Sequence, residues 1–489
     1  MMLPIRIERK SQQPLQLQIY EQLRNLILSG VLRPGQELPG SRSVSLELGV
    51  SRNTVLMAFD RLLNEGYLES EKARKTFVSS RIPDDSIVPY PSRGVPLEEG
   101  QRRYARAKIT LPLNGMRLAP NARPKTEIDF FVGRPDPDSF PAEPWMKLMR
   151  AQLASKRVPL TTYGDPAGLP ALREAIARHL GAARGMNVRA DQIIVTSGIQ
   201  EALSIVARLF AGLDRPIAIE NPCYEGLYKV FALHGASFAP MDVDADGPEP
   251  ADIPDGPLGL ICVTPSHQFP TGRTMTLPRR LRLLELAGQR GAYLLEDDYD
   301  SDFRYDGPPL ISLAGLDKEG VVIYLGTFSK SIGAGLRLGY AVFPESLIEP
   351  ATALKSIHDN GRAWLDQAVL ADFLTEGHFL RHLRRIRTRY RKRRDHLIKA
   401  LNRHVGPCAL SGVRGGMHLM WQMPPTLPRA PAVEAKARAV GVGVYALASG
   451  AGHEFRPTQF GERGLLFGYP AVPEPEIDRA IQRLADVLG

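Results

Sequence analysis

Short apolar segments alternate with helical ones over most of this chain, and that alternation limits the folds open to it. From about Glu127, six segments have the length and composition of strands, and helical segments separate most of them. These strand segments are QIIVTSG, PIAIENP, LGLICVTPSH, AYLLEDDYD, GVVIYLGTFSK and LRLGYAVFP. Such a pattern predicts an α/β fold built on a mainly parallel sheet. Helices dominate from about Glu345, and a smaller α/β segment follows them.

The chain has 489 residues, more than one hydrophobic core usually holds, so we expect at least two domains. Residues 1–80 contain compact periodic segments, whereas residues 81–126 carry seven prolines and no clear periodicity. We therefore predict a small N-terminal domain over residues 1–80, an interdomain linker over residues 81–126 and a large α/β domain over residues 127–489.

The composition excludes several classes of protein. Cys223, Cys262 and Cys408 are widely spaced and odd in number, which argues against a disulfide framework or a cysteine metal site. No apolar run reaches membrane-spanning length and the first residues lack a signal-peptide pattern, so we expect a cytoplasmic protein without a membrane partner. The net charge of +9 is compatible with a nucleic-acid partner but does not prove one.

Residues 41–54 have the pattern of a helix-turn-helix. We expect Ser41 and Ser51 to cap two successive helices, with Gly49 in the tight turn between them. The second helix would present polar residues at its N-terminus, where a recognition helix meets base edges and phosphates. These residues are Arg52, Asn53 and Thr54. The pattern predicts DNA binding, and the alternative is a small structural helical bundle whose charges are only solvated.

A lysine in the segment 326–344, GTFSKSIGAGLRLGYAVFP, has the neighbours that a pyridoxal 5'-phosphate (PLP) anchor needs. Lys330 follows Thr327 and Ser329 and precedes Arg337 by seven residues. Its amine can form a Schiff base with an aldehyde cofactor, while two hydroxyls and a guanidinium suit the phosphate of that cofactor. The segment therefore predicts a PLP site.

Three further segments supply the other contacts that such a cofactor requires. In VTSGIQEAL a strand leads into a helix start at Ser197, Gly198 and Ile199, whose backbone N–H groups can hold a phosphate. LLEDDYDSDF ends a strand in carboxylates, which can keep a pyridine nitrogen protonated, and in Tyr299, which can bond the ring hydroxyl. Tyr224 of ENPCYEG is positioned to stack on a planar ring. Each segment alone is a weak indication, and their joint order is a strong one.

Both parts of the chain resemble known families. The segment RPGQELPGSRSVSLELGVSRNTVLMAFDRLLNEGYL resembles the winged helix-turn-helix of the GntR regulators, and residues 127–489 resemble the fold type I aminotransferases of class I/II. The combination resembles the MocR/GabR-type transcriptional regulators, whose versions of the motifs are close to SHQFPTG, EDDYDSDFRY and GTFSKS. The resemblance implies a small winged helix-turn-helix joined to a large PLP-dependent aminotransferase-like domain, in a head-to-tail homodimer.

The resemblance also implies roles for individual residues. Lys330 is then the Schiff-base lysine, Asp297 pairs with the pyridine nitrogen, and Tyr299 meets the ring oxygen. Tyr224 packs on the ring, and Tyr163 reaches the phosphate of a neighbouring subunit. The phosphate is held by Ser197, Gly198, Ser329 and Arg337. The DNA contacts fall to Arg33, Arg42, Arg52 and Thr54, with the wing following Tyr67. The segment SEKARKTFV departs from the Gly-rich wing tip of the family, and its Lys72, Arg74 and Lys75 are the residues that can bind phosphates there.

Departures from the aminotransferase pattern leave the effector undetermined. Phe269 stands where aminotransferases have the asparagine that meets the ring hydroxyl, and His267 or Gln268 is a candidate replacement. Gly226 stands where the γ-aminobutyrate-sensing member of the family has an arginine that helps to hold the effector carboxylate. The basic residues left near the C-terminus to bind a carboxylate are Arg456 and Arg463.

A strongly basic segment, RHLRRIRTRYRKRRDHLIKAL, carries nine arginines and lysines between Arg381 and Arg394. One interpretation is a second surface for DNA phosphates. The other, which we favour, is a solvated helix of the large domain with Leu383, Ile386 and Tyr390 packing inward.

The sequence therefore predicts a transcriptional regulator that binds promoter DNA through residues 1–80 and senses PLP, or an unidentified amino compound, through aldimine chemistry at Lys330. The alternative is an active aminotransferase with an added DNA-binding module, and its Schiff-base residues are complete enough for a slow transamination half-reaction. A third hypothesis is an ordinary PLP enzyme whose N-terminal domain is only structural.

Overall fold

The computed structural model describes residues 3–9, 11, 13–71, 75–80, 126–155, 162–210, 212, 215–307 and 310–488. The chain forms two compact units, Met1–Ile109 and Thr110–Gly489, each with its own hydrophobic core. The predicted linker lies almost entirely outside the described residues, as do Lys72 and Arg74 of the predicted wing.

The N-terminal unit packs helices against a small antiparallel sheet. Its elements are α1 (Leu15–Leu28), β1 (Glu37–Leu38), α2 (Ser41–Leu48), α3 (Arg52–Asn64), β2 (Leu68–Glu71) and β3 (Lys75–Val78). Apolar residues at helical spacing on α1 and α3 form the core, among them Ile19, Leu23, Val55, Phe59 and Leu62. β3 pairs antiparallel with both β1 and β2.

The turn between α2 and α3 agrees with the sequence pattern in two of three details. The Ser51 hydroxyl caps α3 by accepting a hydrogen bond from the Thr54 N–H at 3.1 Å, and Gly49 has a left-handed backbone with φ of 62°. The predicted cap at Ser41 is wrong. The extended backbone that a cap requires belongs to Gly40, so Ser41 is the first helical residue, and its hydroxyl accepts from Arg52 Nε at 3.3 Å.

The larger unit alternates strands and helices along its first part. Its elements up to the end of the main sheet are β4 (Ile128–Asp129), α4 (Ala142–Ala154), α5 (Pro170–Arg184), β5 (Ile193–Thr196), α6 (Ile199–Phe210), β6 (Ile217–Asn221), β7 (Cys223–Tyr224), α7 (Glu225–Leu233), β8 (Phe238–Asp244), β9 (Gly247–Pro248), β10 (Leu260–Val263), α8 (Leu277–Arg290), β11 (Tyr293–Asp298), α9 (Leu313–Leu316), β12 (Val322–Thr327) and β13 (Gly339–Val342).

Helices dominate the next part, and a small sheet follows. These elements are α10 (Glu345–Asp359), α11 (Trp364–Thr375), α12 (His378–His404), β14 (Ala409–Ser411), β15 (His418–Gln422), α13 (Ala430–Ala439), β16 (Val442–Gly443), β17 (Tyr445–Ala446), β18 (Gly452–His453), α14 (Gln459–Arg463), β19 (Gly464–Gly468) and α15 (Glu474–Leu488). The small sheet has the antiparallel order β14-β15-β19-β17.

The main sheet has the order β5-β13-β12-β11-β10-β6-β8-β9. Its strands are parallel except for β13 and the edge strand β9, which confirms the predicted α/β fold with a mainly parallel sheet. Successive residues of β12 enter different cores: Ile323 and Leu325 pack on one face and Tyr324 on the other. Helices therefore cover both faces, as a parallel sheet requires. Within the described residues, no helix combines the length and the apolar character needed to cross a bilayer.

Candidate cofactor site and DNA-binding helix

The carboxyl edge of the main sheet brings the predicted cofactor residues together. β5 ends just before Ser197, β11 contains Asp297, and β12 ends at Thr327. Lys330 follows in a short helical turn, Ser329–Gly333. Because parallel strands end at a common edge, side chains that are far apart in sequence meet there.

Lys330 contacts a loop that no sequence motif had associated with it. Its Nζ donates a hydrogen bond to the carbonyl oxygen of Gly133 at 2.9 Å. Gly133 has φ of 73°, and a Cβ on it would lie 2.7 Å from Nζ, so glycine leaves room for the amine. Burial lowers the pKa of Lys330, against the opposing influence of Asp300 and Asp297. The amine is therefore closer to its neutral, nucleophilic form than that of an exposed lysine.

Asp297 is a buried carboxyl, 4% exposed, whose Oδ1 has no hydrogen-bond partner among the described residues. Burial raises its pKa to about 7; Asp298 and Glu220 add to this effect, and Lys330 opposes it. A buried acceptor without a partner is costly unless a ligand satisfies it. A protonated ring nitrogen supplies the donor and the positive charge that this oxygen lacks, so the residues present fit PLP.

The raised pKa of Asp297 should make the stability of the cofactor-free protein depend on pH. Its folded pKa of about 7 lies above the ordinary value of 3.8, so its contribution to stability is complete below the ordinary value and is lost as the pH rises through 7. Asparagine has no proton to lose. We therefore expect the cofactor-free Asp297→Asn protein to be more stable than wild type above pH 7, by on the order of a few kcal/mol, with a smaller difference at about pH 5.

Urea unfolding at about pH 5 and about pH 8 measures this difference. Asp246→Asn, which changes an exposed carboxyl on a loop, is the control and should show no such trend. A stability difference between wild type and Asp297→Asn that is the same at both pH values would contradict the role of the buried carboxyl.

Tyr299 and His267 form one hydrogen-bonded group beside Asp297. The Tyr299 hydroxyl donates to the carbonyl oxygen of His267 at 3.0 Å. Nδ1 of His267 lies 3.0 Å from that hydroxyl and 3.0 Å from Oδ2 of Asp300. Burial raises the pKa of Tyr299 well above its usual value, with Asp300 and Asp297 adding to the effect. The phenol therefore stays protonated and can donate to a ring oxygen.

Packing distinguishes the two candidates for the missing asparagine. The Gln268 amide nitrogen donates to Glu220 and to the carbonyl oxygens of Pro222 and Phe269, so this side chain is committed to the core. His267 contacts Tyr299 instead. The structure therefore favours His267 as the replacement, and neither its sequence position nor its residue type separated it from Gln268.

The predicted phosphate residues form a cradle at the start of α6. Arg337 donates to the Ser197 carbonyl oxygen at 2.8 Å, and Thr327 donates to the Ser329 hydroxyl at 3.0 Å. Gly198 has φ of 85°, and a Cβ there would lie 2.9 Å from an Arg337 nitrogen. α6 begins at Ile199, and the positive end of its helix dipole lies at this N-terminus.

Tyr224 explains why glycine occupies position 226. A Cβ on Gly226 would lie 2.5 Å from the Tyr224 ring and 2.6 Å from the Gln200 amide nitrogen. That amide donates to the Tyr224 hydroxyl at 3.1 Å and fixes the ring. Any side chain at position 226, including an arginine, would displace the Tyr224 ring. The packing of this ring therefore accounts for glycine at the position where an effector-binding arginine could otherwise stand.

Three other predicted residues are placed apart from this cluster. Tyr163 is 88% exposed and makes no hydrogen bond to the cluster within the described residues. Arg456 pairs with Asp242 at 2.9 Å, and Arg463 donates to the Leu427 carbonyl oxygen at 2.6 Å. Neither arginine is free to bind an effector carboxylate in this arrangement.

The N-terminal unit exposes most of the predicted DNA contacts. Arg52 and Asn53 are exposed at the start of α3, Thr54 is half-buried, and Arg33 and Arg42 are exposed nearby in sequence. The Thr54 hydroxyl lies 2.7 Å from that of Ser51, and Lys75 pairs with Glu37 at 2.9 Å. The first turn of α3 therefore offers polar groups to a duplex.

The basic helix α12 is engaged with the large unit. Leu383, Ile386 and Tyr390 are buried, as the favoured interpretation predicted. Several of its cations pair with carboxylates elsewhere in the chain. The pairs are Arg389 and Arg393 with Asp136, and Arg391 and Arg394 with Asp306. These contacts support a structural role for the helix.

Comparison with known proteins matches both units. The family model Aminotransferase class I and II matches residues 126–484, and the model Bacterial regulatory proteins, gntR family, matches residues 15–78. The probable rhizopine catabolism regulatory protein MocR of Rhizobium meliloti is 37% identical over 402 residues, which are 82% of this chain and 79% of that protein.

A second regulator matches along the whole length, and a solved enzyme matches the fold of the large unit. The HTH-type pyridoxine biosynthesis transcriptional regulator PdxR of Corynebacterium glutamicum is 31% identical, covering 100% of this chain and 99% of its own. Kynurenine aminotransferase of Pyrococcus horikoshii, solved in complex with PMP, is 26% identical with a TM-score of 0.67, covering 74% of this chain and 90% of its own.

Proposed function

Since the chain belongs to the MocR/GabR-type transcriptional regulators, which join a gntR-family domain to an aminotransferase class I and II domain, we propose that its large domain is a sensor. The protein is a PLP-binding regulator of transcription. In our proposal residues 1–80 bind promoter DNA, and the site around Lys330 responds to PLP itself or to an amino compound. The observation that carries the proposal is the enclosed Lys330 amine beside the unpartnered Asp297 carboxyl.

PLP, when bound, supplies an aldehyde that condenses reversibly with primary amines. Lys330 provides the amine, with its pKa lowered by burial. Asp297 would hold the proton of the ring nitrogen. The Tyr299 hydroxyl would turn its proton from the His267 carbonyl oxygen to the ring oxygen, while the His267 ring orients that hydroxyl. Ser197, Gly198, Ile199, Thr327, Ser329 and Arg337 hold the phosphate, and Tyr224 packs on the ring.

The Lys330 side chain has a resting position of its own. Its hydrogen bond to the Gly133 carbonyl oxygen satisfies the amine when the lysine is not joined to the cofactor. A ligand shifts a regulator only if it binds two arrangements unequally. We propose that an effector amine displaces the Lys330 amine from the cofactor, so that Lys330 takes this position. The loop containing Gly133 would then transmit the movement of Lys330 to the rest of the protein.

Assembly and location follow from the same proposal. We propose a head-to-tail homodimer in which Tyr163 reaches the phosphate held by the neighbouring subunit, and the 88% exposure of Tyr163 supports this role. The DNA target implies that the protein works in the cytoplasm. MocR and PdxR are named for different metabolic processes, so we leave the effector as an amino compound without further identity.

The regulator and enzyme hypotheses differ in two measurable quantities. We expect PLP to change the affinity of the full chain for its promoter by at least about tenfold, equivalent to about 1.4 kcal/mol. Steady-state transamination with a panel of amines should be slow in the same preparation. Rapid multiple turnover together with a promoter affinity that does not respond to PLP would support the alternative, an aminotransferase with an appended DNA-binding domain.

A further inference from the structure

A cavity of about 610 Å³ opens among the loops that follow β10, β11 and β14. Its volume is in the range of small-molecule sites. Its lining includes His267, Arg273, Arg304, Arg387 and Arg414. Lys330, Asp297, Tyr224 and Arg337 are not among its described lining residues, so the cavity is distinct from the cofactor site, and it shares His267 and Asp300 with the cluster described above.

The described lining of this cavity has five arginines and one carboxylate. Within the described part of the chain, Arg273, Arg304, Arg387 and Arg414 form no ion pair. The Arg273 guanidinium lies over the Phe460 ring, 4.9 Å from its centroid. Arg184 also lines the cavity but pairs with Asp298 at 2.9 Å and with Asp302 at 2.8 Å. Asp300 is the only carboxylate among the described lining residues, and its Oδ2 already serves the Met417 N–H and His267. Arg304, Arg387 and Arg414 therefore add positive charge to the cavity lining without an ion-pair partner among the described residues, while Asp306 and Asp302 act on Arg304 and Arg387 from beyond ion-pair distance.

Arg304 is the most informative of these four residues. Its Nε is buried and has no hydrogen-bond partner among the described residues. Burial lowers the pKa of its guanidinium, the nearby charge of Arg414 lowers it further, and Asp306 opposes both effects. A planar guanidinium that lacks acceptors and stands near a second one is suited to bidentate binding of a carboxylate or phosphate. Nε of Arg387 donates a hydrogen bond to the Asp302 carbonyl oxygen, and its two terminal nitrogens have no partner among the described residues.

The His267 ring lies between the glycine loops of this cavity and the Tyr299 hydroxyl. Three glycines of the cavity pack against that ring: a Cβ on Gly412 would lie 2.9 Å from Nε2, one on Gly272 3.2 Å from the same atom, and one on Gly416 2.2 Å from Cε1. On its other side the ring contacts the Tyr299 hydroxyl at 3.0 Å. A shift of these glycine loops would therefore move His267, and through it Tyr299.

We propose that this cavity is a second ligand site, which binds a small oxyanion of the carboxylate or phosphate class and transmits its occupancy to the cofactor through His267 and Tyr299. The binding is independent of the proposed function. The transmission rests on the proposed function, because it acts on the residue that meets the ring oxygen of PLP.

Calorimetric titration of the PLP-saturated full chain tests the binding. Pyrophosphate and citrate are titrated separately at an ionic strength fixed with sodium chloride, so the two arms distinguish phosphate from carboxylate ligands. Saturation with PLP keeps both anions from the cradle at Arg337. We expect saturable binding of at least one anion to wild type, a Kd weakened at least about tenfold in Arg304→Gln and in Arg414→Gln, and a Kd within about twofold of wild type in Arg150→Gln on α4.

No saturable binding of either anion, or equal Kd values in Arg304→Gln and wild type, would overturn the proposal. The Arg304 side chain makes no hydrogen bond or ion pair with a described residue, so its replacement should leave the melting temperature unchanged. Arg414→Gln provides a second, exposed variant. The visible absorbance of the bound cofactor tests transmission: the anion should shift it in wild type but not in Arg304→Gln. Anion binding without a shift would refute transmission. A protein that is colourless before any anion is added would instead count against the proposed function.

Discussion

Replacing Lys330 with alanine should remove the visible absorbance band of the PLP-saturated protein almost completely. The band requires a covalent link between the cofactor and the lysine amine, and the structure places this amine within reach of the unpartnered Asp297 carboxyl. Absorbance spectra of wild type and variant after removal of free cofactor measure the effect. Lys318→Ala, which removes an exposed lysine ahead of β12, is the matched control and should keep the band.

A band of unchanged intensity in Lys330→Ala would show that another amine holds the cofactor. The melting temperature of the cofactor-free variant checks that the fold is intact. Because the Lys330 amine bonds one carbonyl oxygen at Gly133, we expect a change of no more than about 1–2 kcal/mol in the free energy of unfolding.

Replacing Arg52 with alanine should weaken promoter binding by about 1–3 kcal/mol, the range of a side chain that contacts a base edge. Arg52 is exposed at the start of α3 and contacts Ser41 through its Nε at 3.3 Å, which leaves its terminal nitrogens free of described partners. Fluorescence anisotropy with a labelled promoter fragment at fixed salt measures the affinity. Arg150→Ala, which removes an exposed cation from the large unit, is the control for net charge.

The cofactor absorbance of Arg52→Ala should equal that of wild type. A joint loss of DNA affinity and cofactor absorbance would mean that the two units are not functionally separable. Equal promoter affinities of Arg52→Ala and wild type would contradict the assignment of α3 as the recognition helix.

The sequence predicted the cofactor cluster because strand periodicity determines where its members go. Ser197, Asp297 and Thr327 lie in or directly after strands that run in the same direction, so their convergence follows from the alternating pattern. Lys330 follows β12 closely enough to share that edge. The inward face of α12 was predictable for the same reason, since a period of 3.6 residues specifies which side chains are buried.

Contacts between distant segments were not predictable in this way. Gly133 reaches Lys330 from a loop before α4, and no local pattern encodes that approach. The pairs of α12 with Asp136 and Asp306 are of the same kind. The choice between His267 and Gln268 depended on where a neighbouring glutamate lay, and only packing supplied that information. The Ser41 cap failed because the glycine before it adopted the extended backbone.

The central claim is that this chain carries its cofactor on Lys330 while it binds DNA. Borohydride treatment of the PLP-saturated, promoter-bound protein, followed by peptide mass spectrometry, tests it most directly. We predict that the added mass of the cofactor lies on the peptide containing Lys330. The absence of added mass on that peptide, in a sample saturated with PLP and bound to DNA, would contradict the account.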